Sequence, residues 1–245
     1  MNTNGNTVLI TGGATGIGFA LAEAFIKKGN EVIICGRREH KLKEAKDKLP
    51  QIHTMVCDIT NVNNRFILYY NVRNDLKDIN ILVNNAGIGR MIDLKKGETS
   101  LMEDEIHTNL IAPIHLSALF IPDLLRRKES AIINVSSGLA FVPMAAMPVY
   151  CATKAAIHSF SISLRYQLRD TALKVFEVIP PVVDTELHKD ARDELKNRSI
   201  PPSVVAEETL IALEKDEYEI PIGMSKNLRM TDINNFEQIF QGINR

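Results

Sequence analysis

Thr7-Val8-Leu9-Ile10-Thr11-Gly12-Gly13-Ala14-Thr15-Gly16-Ile17-Gly18 is the stretch whose reading decides the fold. Thr7 to Ile10 is a short run rich in β-branched residues, the pattern of a buried strand. A helical pattern follows the glycines at once. Ile17, Leu21, Ala24 and Phe25 recur at i, i+4, i+7 and i+8, and Gly29 stands where a helix-ending glycine belongs. A glycine-rich turn therefore joins a buried strand to a helix N-terminus. That geometry suits a pyrophosphate, because glycines let the backbone come close and the helix start offers unpaired N–H groups and partial positive charge. The spacing is GxxxGxG, not GxGxxG. Any strand-to-helix turn can use glycine; the position directly after the first strand is what favours a dinucleotide site.

The whole chain is consistent with that start. It has 245 residues, 45% apolar and 24% charged, an ordinary globular balance with enough length for a full core. A net charge of −1 gives no electrostatic case for nucleic acid or an anionic membrane surface. Cys35, Cys57 and Cys151 are odd in number and lack CxxC spacing, which argues for reduced thiols and against a disulfide or metal framework. The opening residues do not read as a secretory signal, and no apolar run is long enough to span a membrane. A cytoplasmic protein with no metal is expected.

Strand and helix patterns alternate to about Ile179 without an internal repeat, which predicts an α/β fold with a parallel sheet. Glu31 to Gly36 is the second strand, and Arg37 and Arg38 follow it. An acid at this place hydrogen-bonds the ribose of NAD, whereas arginine accommodates the 2′-phosphate of NADP. With Gly36 leaving room and no acid at the strand end, NADP(H) is favoured over NAD(H), although the arginines also read as a surface pair at a helix start. A helix from Glu39 to Leu49 stops at Pro50, and Ile52 to Val56 is the third strand. Asp58 then either accepts from an adenine amine or caps the next helix, which runs through Phe66 and Val72. Ile79 to Val83 is the fourth strand and ends in Asn84-Asn85-Ala86-Gly87, a turn expected under the glycine loop. A long helix is expected over 103–127, kinked near Pro113, with Asn109 oddly polar in its middle. His53, His115 and Ser117 read as structural.

Ala131 to Val135 is the fifth strand and delivers Ser136 and Ser137 to the sheet edge that also receives the glycine loop. Tyr150 and Lys154 open the next helix and share one face at i, i+4. Such a pair is either a solvated surface pair or a proton donor with a cation that lowers its pKa toward neutrality. Val175 to Ile179 is the sixth strand, followed by Pro180, Pro181, Val183 and Thr185. Residues 184–202 are charged and are expected to form a substrate lid. Residues 227–245 form a C-terminal extension with a helix around Ile233, Phe236, Ile239 and Phe240, packing on a partner subunit or closing the pocket.

TGGATGIG at 11–18, NNAG at 84–87, Asn109, Ser137, Tyr150 and Lys154 together resemble the short-chain dehydrogenase/reductase family over residues 5–225. EVIICGRREHKL, VYCATKAAIHSFSISLR and IPPVVDT further resemble its DltE branch, a kinship that names no substrate. The resemblance implies one Rossmann-type domain over 1–245, a three-layer sandwich around a mostly parallel, seven-stranded sheet. It implies hydride transfer between a nicotinamide and a small carbonyl or alcohol. Tyr150 would be the acid/base, Lys154 would lower its pKa and hold the ribose, Ser137 (Ser136 being the weaker candidate) would polarise the carbonyl, and Asn109 would hold a water linking Lys154 to solvent. Gly12, Gly16 and Gly18 would line the pyrophosphate and Asp58 the adenine, with Asn84 supporting the central strand. Thr15, Ile17, Ile59, Asn85, Ala86, Gly87, Pro180 and Val183 would complete the cofactor site, and Thr185 would meet the carboxamide. A homodimer or homotetramer is expected. Pro181 departs from the usual Pro-Gly, and Thr15 leaves the glycine loop without a basic residue. Two other readings compete. A Ser137 acyl hydrolase lacks the first glycine of GxSxG and shows no His–acid pairing for His158. A non-catalytic NADP-sensing protein has no need of the Asn/Ser/Tyr/Lys set.

Overall fold

The computed structural model describes residues 1–75, 79–97, 99, 102–188 and 199–244. Seven parallel strands form one sheet in the order β3-β2-β1-β4-β5-β6-β7. They are β1 (Thr7–Thr11), β2 (Glu31–Gly36), β3 (His53–Val56), β4 (Ile81–Asn84), β5 (Ser130–Val135), β6 (Leu173–Ile179) and β7 (Glu219–Pro221). The first six fall where the apolar runs place them. The seventh, at three residues, is too short for a sequence pattern.

Helices cover both faces. On one side α1 (Gly16–Lys27) and α2 (Glu39–Lys48) pack with Pro202–Glu214, whose Val205 and Leu213 meet the same core as Val8, Ile10, Val32 and Ile34. On the other, α3 (Val62–Asp75), α5 (Ala112–Leu124) and α6 (Pro148–Gln167) bury Leu68, Leu116, Phe120 and Leu164 against Leu9, Ile33, Leu82 and Ile132. Neighbours along β1 thus serve opposite layers, as a strand buried on both faces must. The chain runs outward from β1 to β3, then returns to β4 on the other side of β1. That reversal opens a crevice at the C-terminal ends of β1 and β4.

The expected long helix is broken. It comprises α4 (Met102–Ile106), a π-helical turn (His107–Ile111) and α5. Pro113 explains the break: it has no N–H for the Asn109 carbonyl four residues earlier, and its ring crowds that carbonyl. Pro202–Glu214 is α7, and the C-terminal segment holds α8 (Ser225–Arg229) and α9 (Phe236–Ile243). Asn244 closes α9 onto the loop before Tyr150, accepting from the Ala145 N–H and donating to the Pro143 carbonyl. Most of the expected lid, 189–198, lies outside the described residues. No helix among the described residues is long and apolar enough to cross a membrane.

Candidate active site

The glycine loop is riveted to the turn after β4. The Thr11 hydroxyl accepts from the N–H groups of Asn85 (3.0 Å) and Ala86 (3.1 Å) and donates to the Val83 carbonyl. The Asn85 amide donates back to the Thr11 (2.9 Å) and Gly12 (3.3 Å) carbonyls. Gly12 has φ +65°, and a Cβ there would lie 2.9 Å from the Ala86 Cα, so backbone passes over backbone. Thr15 makes no side-chain cap and the first turn of α1 carries no acid, which leaves its N–H groups open to an anion. Gly16 packs against Thr185. A cavity of about 700 Å³ is lined by Thr15, Gly16, Val183 and Thr185, so the glycine loop and the loop after β6 share one space.

A second cavity, about 450 Å³, lies at the ends of β2 and β3 and is lined by Arg37, Cys57 and Asp58. Arg37 is exposed and has no ion-pair partner among the described residues, whereas Arg38 pairs with Glu186 at 2.7 Å. Asp58 does not cap α3. Its carboxylate accepts from the Thr60 N–H and hydroxyl, and Asn61 caps the helix through the N–H groups of Asn63 and Asn64. Ile17 packs on the core of one sheet face, and Ile59 is buried in that of the other with its carbonyl taken by Arg65. Pro180 is buried and accepts from the Gly138 N–H at 3.1 Å. Ser137 and Tyr150 line neither cavity.

The remaining candidates converge beside the crevice. Ser137, two residues past β5, accepts from the Leu139 N–H at 3.2 Å with its hydroxyl beside the Tyr150 phenol, while Ser136 turns away to the Val178 carbonyl. Lys154, one turn after Tyr150, donates to the Val135 carbonyl at 2.8 Å, and its Nζ stands 5.6 Å from the Tyr150 ring centre. Asn109 faces this group from the π turn. Its side chain accepts from the Ile88 N–H (2.9 Å) and donates to the Ile88 carbonyl (2.8 Å) and the Thr153 hydroxyl (3.2 Å). Gly87 lies between Asn109 and Lys154. Asn84 instead points into the core, donating to Ser117 and Asn134. Ser117 in turn donates to the Pro113 carbonyl, and His115 accepts from Arg65, so both are structural.

Electrostatics correct one expectation. Tyr150 is not brought toward neutrality: burial pushes its phenol up to about 12 against the opposing Ser137 hydrogen bond. Burial likewise pulls Lys154 down to about 8, with the buried Glu177 opposing. An unfolded lysine titrates near ~10.4. Between those values the unfolded chain holds a proton that the folded chain has shed. The penalty for the buried ammonium is therefore fully present below pH 8 and fades as pH rises, by up to about 1.4 kcal/mol per pH unit. Lys154→Met should abolish this rise, which urea midpoints of both proteins at neutral pH and near pH ~10 will read.

His158 also departs from expectation. Its Nδ1 lies 2.8 Å from Oε2 of the fully buried Glu177, a His–acid pair formed across α6 and β6. The ring packs edge-on against Phe141. The sequence did carry a signal for Glu177, an acid inside the apolar run Val175-Phe176-Glu177-Val178-Ile179. Glu105, buried near Tyr150, carried none, since it sits in an acidic helical segment that reads as surface.

Residues 6–196 match the family described as short chain dehydrogenase. The chain is 48% identical to the uncharacterized oxidoreductase DltE of Bacillus subtilis (strain 168), covering 100% of this chain and 98% of that protein. It is 33% identical to the NADP-dependent 3-hydroxy acid dehydrogenase YdfG of Escherichia coli (strain K12) over 72% of each chain. Among solved structures, a short chain dehydrogenase from Burkholderia cenocepacia in complex with NADP superposes with a TM-score of 0.86 at 26% identity, covering 99% of each chain. One from Burkholderia phymatum in complex with NAD gives 0.86 at 20% identity over 98% of this chain and 96% of that one. The chain belongs to the short-chain dehydrogenase family and is an oxidoreductase of that family.

Proposed function

We propose that the protein is an NADP(H)-dependent oxidoreductase that interconverts a small carbonyl compound and its alcohol, with Tyr150 as the proton donor and acceptor. The observation that carries this reading is the convergence of Ser137, Tyr150, Lys154 and Asn109 beside a glycine cradle with an uncapped helix start. A dinucleotide fits that cradle. A Cβ at Gly12, Gly16 or Gly18 would collide with Ala86, Thr185 or the Gly12 carbonyl, so glycine lets the loop fold tightly at the start of α1, whose uncapped N–H groups suit a pyrophosphate. Arg37 and Asp58 line the cavity at the adenosine end. Bound NADPH supplies the hydride. Ser137 holds the substrate oxygen, and Tyr150 gives that oxygen its proton. Lys154 supplies positive charge behind the phenol, which lowers the cost of the transient phenolate. Asn109 anchors Ile88 beside Lys154 and is the residue to hold a water linking that lysine to solvent. The site acts in the cytoplasm, in a homo-oligomer, on a small-molecule substrate. YdfG, an NADP-dependent relative, supports the cofactor preference.

A turnover screen of carbonyls and alcohols with NADPH, NADH and their oxidised forms tests the reading; absence of any nicotinamide-linked turnover sinks it. Arg37 is the arginine free to take a 2′-phosphate, because Arg38 is engaged by Glu186. Loss of one charge-assisted contact costs about 1.5–3 kcal/mol. Arg37→Ala should therefore weaken NADPH binding roughly 10- to 100-fold and NADH binding little, as measured by nucleotide fluorescence. Equal losses for both nucleotides would reject the role.

A further inference from the structure

Glu105 is a buried acid that the mechanism above does not use. Its Oε1 accepts the Arg90 N–H at 2.9 Å, and its Oε2 is buried without a hydrogen-bond partner among the described residues. Asn109, four residues later, accepts the Ile88 N–H at 2.9 Å. Four helical residues rise ~6 Å, and two extended residues span nearly the same ~6.6 Å. Two side chains one turn apart thus hold alternate N–H groups of the strip Ile88-Gly89-Arg90. Gly89, between the two held groups, presses the other way. A Cβ on it would lie 3.1 Å from Cδ2 of Tyr150 and 2.7 Å from Cε of Met147. Beyond Arg90 the strip closes on the loop before α6 through the Ile92 N–H and the Ala146 carbonyl, 3.0 Å apart. The strip is therefore layered between α4 and the tyrosine ring.

We propose that Glu105 is a positioning residue for Tyr150: paired with Asn109, it clamps the 88–90 strip onto the tyrosine ring and keeps a negative charge beside the phenol. The proposal rests on the reading of Tyr150 as the acid/base. Among the described residues, charged and titratable groups face Tyr150 from two helices. Lys154 and Cys151 come from α6 and Glu105 from α4, while Arg90, on the strip, carries its guanidinium 3.7 Å from Asp104. Burial holds the Glu105 carboxyl above its usual range, and its charge disfavours ionisation of both Tyr150 and Cys151. The clamp thus works against Lys154: it favours the protonated phenol.

Glu105→Gln keeps an acceptor for Arg90 and removes only the charge, whereas Glu105→Leu removes both. Ultraviolet titration of the tyrosine phenols, read as the difference between each protein and its Tyr150→Phe counterpart, isolates Tyr150 without any substrate. Glu105→Gln should move that difference to lower pH by at least a few tenths of a unit. Glu105→Leu should in addition speed amide hydrogen exchange at Arg90, which Glu105→Gln should leave unchanged. An unmoved phenol in Glu105→Gln overturns the proposal, even if Glu105→Leu fails to fold. Reduction of diacetyl by NADPH separates this from the underlying reading. Turnover that survives Tyr150→Phe sinks the acid/base role of the tyrosine, whereas an unmoved titration sinks the clamp alone.

Discussion

With Tyr150 as the proposed proton donor and acceptor, Tyr150→Phe is expected to lower turnover by about a hundred- to ten-thousand-fold while leaving NADPH affinity nearly unchanged, because only the phenol oxygen is lost. The variant deletes one oxygen from a ring that is 6% exposed and walled by Gly89 and Met147, so the packing that orients α6 persists. Lys154 keeps its anchor on the Val135 carbonyl, and the glycine cradle, bonded through Thr11 and Asn85, does not involve the phenol. Single-turnover kinetics with NADPH, set beside nucleotide binding, will separate the two quantities. Equal loss of affinity and turnover would mean that the ring, and not its hydroxyl, matters. The same variant has a stability signature. The folded phenol titrates at about 12, above the free value of ~10. The stability it contributes is complete below pH ~10 and is lost as pH rises through the folded value, so Tyr150→Phe should be less sensitive to alkali over that window.

Gly18→Ala should destabilise the fold and abolish nucleotide binding together. A Cβ at this position would stand 2.4 Å from the Gly12 carbonyl oxygen and 2.5 Å from Nδ2 of Asn85. Neither neighbour can yield. The first is backbone in a left-handed turn, and the second is the amide that bonds the Thr11 and Gly12 carbonyls. Overpacking costs roughly 1–3 kcal/mol, and a lost hydrogen bond adds about 1 kcal/mol. For a chain of this size that corresponds to a fall in Tm of roughly 5–15 °C. Calorimetry, with NADPH fluorescence on the folded fraction, checks both parts. A normal Tm with normal binding would show that the loop can open without cost.

Much of this was legible from residue order. A strand buried on both faces reads as a continuous apolar run, which is why β1, β2 and β5 stand out, and Gly29, at φ +78°, marks the end of α1. Ser137, Tyr150 and Lys154 meet because strand ends of a parallel sheet share an edge, a rule that needs no coordinates. What stayed hidden depends on neighbours distant in the chain. The π turn follows from Pro113, yet its effect, setting Asn109 and Glu105 over alternate N–H groups of one strip, appears only once that strip is in place. Asp58 could have capped α3 as well as Asn61, and local sequence does not rank the two. The Tyr150 pKa went the other way because the i, i+4 spacing shows the cation but not the burial that outweighs it.

The amides in the middle of the sheet bear on how the chain finds its fold. Asn84 and Asn134 stand opposite each other in the β4–β5 register, and they reach Ser117 on α5 and Ser161 on α6. Buried amides of this kind cost about 1–3 kcal/mol each when left unpaired. A shift of one residue between β4 and β5 would turn one amide to the opposite layer and strand both. The apolar runs around them would tolerate such a slip, since valine and isoleucine pack on either face. The two asparagines therefore act as a proofreading mark: the Ser117 and Ser161 hydroxyls of α5 and α6 meet their amide donors only on a sheet whose strands β4 and β5 have already aligned correctly.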